Sequence, residues 1–157
     1  MEKLIGLCIV AIMAVSCGGS SQSSSEEQKP DLLKKTEVPV DDGLGIGEVK
    51  HVDLNNPLDE AMVKRGAAIY EMKCSACHKL TNQRVVGPGW AGVTQRRKPE
   101  WIMNMTTNVE VMLEKDSTAR ALFKEALVPM PNQNITMEEA RDVLEFMYAN
   151  DAGNTGK

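Results

Sequence analysis

Cys74-Ser75-Ala76-Cys77-His78 is the stretch on which the reading of this chain turns. Cys-x-x-Cys-His is the attachment signature of c-type haem. Two thiols three positions apart on a helical turn reach the two vinyl groups along one porphyrin edge, and the adjacent His then presents its imidazole to the iron. Covalent linkage keeps the cofactor in a domain too small to enclose it. A redox dithiol of the thioredoxin kind needs a βαβ setting, which does not surround this site. A zinc site needs two further ligands, yet the only other His is His51 and no Cys remains in the body of the chain. The motif therefore predicts one covalently bound haem c, attached through Cys74 and Cys77 and ligated by His78.

Outward from the motif, the chain reads as helix and loop. Ala61, Arg65, Ile69 and Met72, with Gly66 and Tyr70, place apolar and small residues at helical spacing just before it. Asp59-Glu60 puts acid in the first turn, where the positive helix end favours it. Gly66 in mid-helix costs about 1 kcal/mol relative to Ala, which points to a close helix–helix approach there. Val85-Val86-Gly87-Pro88-Gly89-Trp90-Ala91-Gly92-Val93 is loop chemistry. Pro99 opens a short helix through Met105, and 109–115 and 117–126 read as two more. Thr136-Met137-Glu138-Glu139 is a capping box opening a last helix with Ala140, Val143, Leu144 and Met147 on one face, stopped at Gly153. No segment has the pattern of a long strand. The expectation is an all-α domain of four to five helices over 58–150, with a tail at 151–157.

The composition agrees. Only 4% of the 157 residues are aromatic, thin for a core, and ten Met compensate in part; a haem adds the large apolar body that the side chains lack. A net charge of −4 excludes the basic face that nucleic-acid binding requires. Arg96-Arg97-Lys98 interrupts that acidic balance; such a run is usually a solvated face, and the alternatives are neutralising haem propionates or docking an acidic partner.

The N-terminus reads as an address. Leu4 to Val15 is an apolar run of signal-peptide length, too short to span a bilayer comfortably. Ala14-Val15-Ser16-Cys17 resembles the lipobox of bacterial lipoproteins, which implies a signal peptide over 1–16 and acylation of Cys17; ordinary cleavage near Ser16 is the alternative. Ser20 to Gln28 is too polar to fold, so 17–57 reads as a mostly solvated tether between lipid and domain. Leu44 to Val49, more apolar and Gly-rich, is its one segment suited to lying on the domain.

Together these residues resemble the class I c-type cytochromes over about 58–150. Gly66-x-x-x-Tyr70-x-x-x-Cys74 is similar to that family's first-helix pattern, and Val143 and Phe146 to the positions that receive it on the last helix. Gly87-Pro88 resembles the loop whose Pro carbonyl accepts a hydrogen bond from the proximal His, which implies that Pro88 orients His78. Val128-Pro129-Met130-Pro131 is similar to the distal loop, which implies Met130 as sixth ligand. Met130 also stands apart on its own terms: it lies in a Pro-flanked loop, whereas a Met at helical spacing is usually core filler. His51 is the rival ligand and Met103 or Met105 the third choice.

His/Met ligation leaves no open position on the iron and raises its potential. The expectation is a membrane-tethered mono-haem electron carrier, not an enzyme, facing the periplasm of a bacterial envelope. It would work between respiratory proteins such as a quinol-oxidising complex and a terminal oxidase or nitrogen-oxide reductase. The alternatives are a haem c subunit of a larger oxidase or reductase, a small peroxidase, or a haem-based redox or gas sensor.

Overall fold

Asp59 starts the first helix: its carboxylate accepts the backbone N–H of Ala61 and Met62, satisfying two of the donors that a helix start leaves unpaired. A computed structural model of the chain describes residues 42–126 and 128–154. These belong to one of the chain's two units, Val38–Lys157; the other, Met1–Glu37, lies outside the described residues. So do the expected signal peptide, Cys17 and the tether as far as residue 41.

Among the described residues six helices follow in order: α1 (Glu60–Lys73), α2 (Val93–Arg96), α3 (Pro99–Thr107), α4 (Val109–Lys115), α5 (Ser117–Lys124) and α6 (Met137–Asn154). No strand occurs among the described residues; His78 and Arg84 form an isolated antiparallel bridge. The all-α reading is met, with one more helix than expected. The addition is α2, a single turn that the Gly-rich sequence before it hid. Its cap comes from far away: Asp151, itself buried, accepts the N–H of Gly92 at 2.7 Å and both the N–H and hydroxyl of Thr94 at 2.9 and 2.7 Å. That bond set also corrects the expected tail. Residues 151–154 continue α6 through Gly153, because Asp151 is anchored inside the domain.

α1 crosses α6 at Gly66. A Cβ there would fall inside the contact radius of the Asp142 carbonyl oxygen and against Phe146. Beside this crossing Arg65 grips the Asp142 carboxylate through two hydrogen bonds of 2.7 Å, and Tyr70 packs on Phe146 with ring centroids 5.5 Å apart. The capping box forms as read, with Thr136 and Glu139 exchanging side-chain to backbone bonds of 2.9 and 3.1 Å. Met72, expected on the packed face of α1, is instead 74% exposed. Its place in the period coincides with the end of the helix, beyond the crossing.

Part of the stretch read as tether lies on the domain: Leu44–Val49, the segment suited to it, does so together with Val52, while residues 53–57 are exposed. Residues 44–52, which bend at Gly45, lie along α3, held by side chains at 100, 104 and 108, every fourth residue from α3 to its C-cap. Glu100 accepts the Val52 N–H at 3.1 Å. Asn104, with no exposed surface, accepts from Val49 N–H and donates to the carbonyls of Leu44 and Val49, all at 2.9–3.1 Å. Asn108 donates to Ile46 at 3.1 Å. The physical reason is that backbone groups drawn out of water against a helix need partners, and α3 and its C-cap supply them from side chains. Asn104→Ala removes three of these bonds and is expected to cost about 2–3 kcal/mol. Urea unfolding of the holoprotein measures the loss, and proteolysis should then cut preferentially between residues 44 and 53.

Farther along, Glu145 is fully buried and ties the entry of α1 to α6. It accepts from Asp59 N–H at 2.8 Å, from Asn55 at 3.1 Å and from Arg141. Burial alone would raise its pKa, but these donors outweigh it and hold the carboxyl below its ordinary value. A depressed carboxylate stabilises the fold above the ordinary glutamate range and loses that contribution as pH falls through the folded value. Glu145→Gln is therefore expected to cost about 1.5–3 kcal/mol near neutral pH. The difference in melting temperature from the wild type should shrink steadily below about pH 4.5.

Candidate haem site

α1 ends one residue before the motif. Cys74 caps it, and the N–H groups of Cys77 and His78 both fold back on the Cys74 carbonyl, at 3.1 and 2.9 Å, so both thiols sit on one tight turn. Tyr70, one helical turn earlier, donates its hydroxyl to the His78 carbonyl at 2.8 Å. Cys74 is buried, Cys77 half-buried, and the two are not bridged. Burial pushes the Cys74 thiol up to about 11. A redox dithiol needs the opposite, a thiol lowered toward thiolate. The buried Cys74 thiol therefore does not favour the thioredoxin-like alternative. Among the described residues no group of three or more His, Cys, Asp or Glu is placed to hold a metal ion.

His78 is held on three sides. Its Nδ1 lies 2.8 Å from the Pro88 carbonyl. A carbonyl can only accept, so Nδ1 carries the proton and Nε2 keeps its lone pair. Gly87 lies against the ring so closely that a Cβ there would overlap Cε1. Trp90 lies with its ring centroid 5.7 Å from that of the imidazole, and packs in turn on Tyr70 at 4.9 Å. Burial lowers the pKa of His78 more than the Pro88 bond raises it. The imidazole is therefore neutral at physiological pH, the form that binds a metal.

Beside His78 opens a cavity of about 650 Å³, within the size range of cofactor sites. Cys77, His78, Pro88 and Met130 all line it. Its walls are otherwise mainly apolar, with Trp101 and Met105 from α3, Leu113 from α4, Leu122 from α5 and Met147 from α6. Cys74 is not part of the lining. A thiol, an imidazole with a free Nε2 and a thioether thus converge on one apolar space, a donor set suited to a covalently bound haem. The clearance that Gly87 leaves at the imidazole fits it as well.

The cytochrome c family model matches residues 63–150. This chain belongs to the cytochrome c family. It therefore carries covalently bound haem c and is an electron carrier of that kind. Among solved structures it is similar to a cytochrome c from Rhodothermus marinus, with 31% identity and a TM-score of 0.68 over 71% of this chain and 96% of that one. An engineered form of that protein matches with 31% identity and a TM-score of 0.66 over 70% and 95%. A further engineered form, bound to a carbene intermediate, matches with 32% identity and a TM-score of 0.64 over 70% and 95%. No curated protein sequence matches the chain.

Of the other candidate ligands, His51 and Met103 lie away from the cavity and Met105 lines it. His51 is exposed and paired with Asp53 at 2.9 Å. Met103 and Met112 are buried in the core, Met112 with its sulfur 3.0 Å from the Ile46 N–H. Met105 and Met147 do line the cavity, as wall residues on helices. The reading of Arg96-Arg97-Lys98 as a solvated face needs amending, because Arg96 and Arg97 border the cavity and Arg97 stacks over Trp101 at 5.2 Å. Trp90 and the Tyr70 hydroxyl, which support His78, had no individual signal in the sequence; their partners are set by the turn between residues 78 and 90.

Proposed function

We propose that this cytochrome is a membrane-tethered, mono-haem electron shuttle in which His78 and Met130 are the two axial ligands. The observation that carries the reading is that His78 and Met130 line the same cavity. Haem c, when bound, supplies one-electron chemistry at its iron. The chain's own residues do the rest. Cys74 and Cys77 would attach the group, the Pro88 carbonyl accepts the Nδ1–H bond and so aims Nε2, and Met130 would supply the second ligand. A site filled on both sides exchanges electrons without binding substrate. Ligation by a thioether raises the potential relative to bis-imidazole ligation.

Cys17, in its lipobox-like setting, is the proposed lipid attachment, which places the domain on a bacterial membrane facing the periplasm. Its proposed partners are respiratory proteins: a quinol-oxidising complex as donor, and a terminal oxidase or nitrogen-oxide reductase as acceptor. No helix of the described residues is long and apolar enough to cross a membrane. Two measurements test this. The reduced protein should be silent toward carbon monoxide, and rapid binding would overturn the closed site. Cys17→Ser should move the haem from the membrane to the soluble fraction; if it stays membrane-bound, the anchor lies elsewhere.

A further inference from the structure

The loop that carries Met130 runs from the end of α5 to the start of α6. Its two ends are gripped by cations that flank the haem-attachment turn. At its start, Arg84 meets the Glu125 carboxylate at 3.1 Å, although 41 residues separate them. At its end, Lys73 donates to the Gln133 carbonyl at 3.3 Å and lies 3.6 Å from Glu139 at the head of α6. Both cations belong to the proximal half. Lys73 immediately precedes Cys74. Arg84 pairs with His78 through the antiparallel bridge, and the neighbouring turn is closed by the bond from Gly87 N–H to the Cys77 carbonyl at 2.9 Å. Arg84 and Met130 both line the cavity, as does Ala126 beside Glu125, so the Arg84–Glu125 pair ties a lining residue of the His78 side to the start of the Met130 loop.

We infer that Arg84 and Glu125 are positioning residues for the sixth ligand: their ion pair clasps the Met130 loop to the His78 side and sets how often the loop opens. The inference rests on the reading of Met130 as that ligand. The clasp is partly exposed, with side chains 40% and 66% accessible, so its strength is that of a surface pair and is screened by salt. An outside ligand binds only the open fraction, and its apparent affinity scales with that fraction.

The test is titration of the oxidised holoprotein with imidazole, followed by the visible spectrum. Arg84→Gln and Glu125→Gln should each tighten apparent imidazole binding by about two- to five-fold at low salt. At about 1 M salt, where screening is strong, the difference from the wild type should disappear. The charge-swapped double variant, Arg84→Glu with Glu125→Arg, should return to the wild-type affinity. A general loss of packing would respond neither to salt nor to the swap. Single variants that match the wild type at low salt, or a swap that fails to restore it, would overturn the clasp. Failure of the ligand assignment is distinguishable, because it appears as an unchanged spectrum in Met130→Ala.

Discussion

Met130→Ala is expected to open the iron. The oxidised protein should lose the weak far-red band of thioether ligation, and the reduced protein should bind carbon monoxide rapidly. The potential should fall by on the order of 0.1–0.2 V, a modest part of the roughly 0.8 V over which axial ligands move haem proteins. The fold should survive, because Met130 lies in a loop and is only half-buried. The size of the effect follows from chemistry rather than packing: alanine offers no donor atom, so water or an added ligand takes the position. Spectroscopy in both redox states with a potentiometric titration measures all three changes. An unaltered far-red band would transfer the role to another Met, with Met105 first because it shares the cavity.

The second large effect is at Gly66. Gly66→Ala adds one carbon where the Asp142 carbonyl oxygen already sits, with Phe146 on the other side. Two helices must separate to admit it, since the obstacle is backbone and cannot turn aside. Helix propensity works in the other direction, favouring Ala by about 1 kcal/mol. Overpacking typically costs about 1–3 kcal/mol, and a rigid backbone obstacle lies at or beyond the upper end. Separation would also strain the Arg65–Asp142 pair and the tilted ring contact of Tyr70 with Phe146. A net loss of about 2–4 kcal/mol is therefore expected. It should appear as a lowered urea midpoint of the holoprotein with the axial spectrum intact. A substitution without cost would mean that the helices do not touch there.

These residues differ in how far the sequence announced them. Gly66 was legible because a mid-helix glycine is unfavourable on local grounds and so implies a neighbour. The capping box at Thr136 and the acid at Asp59 were legible because capping involves bonds within three residues. For residues 44–53 the sequence marked only Leu44–Val49 as suited to lying on the domain, and not which groups would receive it. That segment's apolar residues are few and interrupted by glycine, and the groups that bind it lie about fifty residues or more away in α3 and α4. Met72 was misplaced because periodicity extrapolates past the point where the partner helix ends.

By itself the sequence determined the local chemistry of this cytochrome: the attachment motif, the His beside it, the helices and their caps. Each of these depends on residues a few positions apart, and spacing along the chain records such relations directly. Tertiary structure alone decided which distant groups meet. It put the Pro88 carbonyl 2.8 Å from His78 Nδ1 and Met130 on the same cavity. It also capped α2 with Asp151, laid residues 44–52 along α3, and closed Arg84 on Glu125. Those contacts arise from burying apolar faces together and then pairing every polar group trapped in between, and neither demand leaves a local period in the chain.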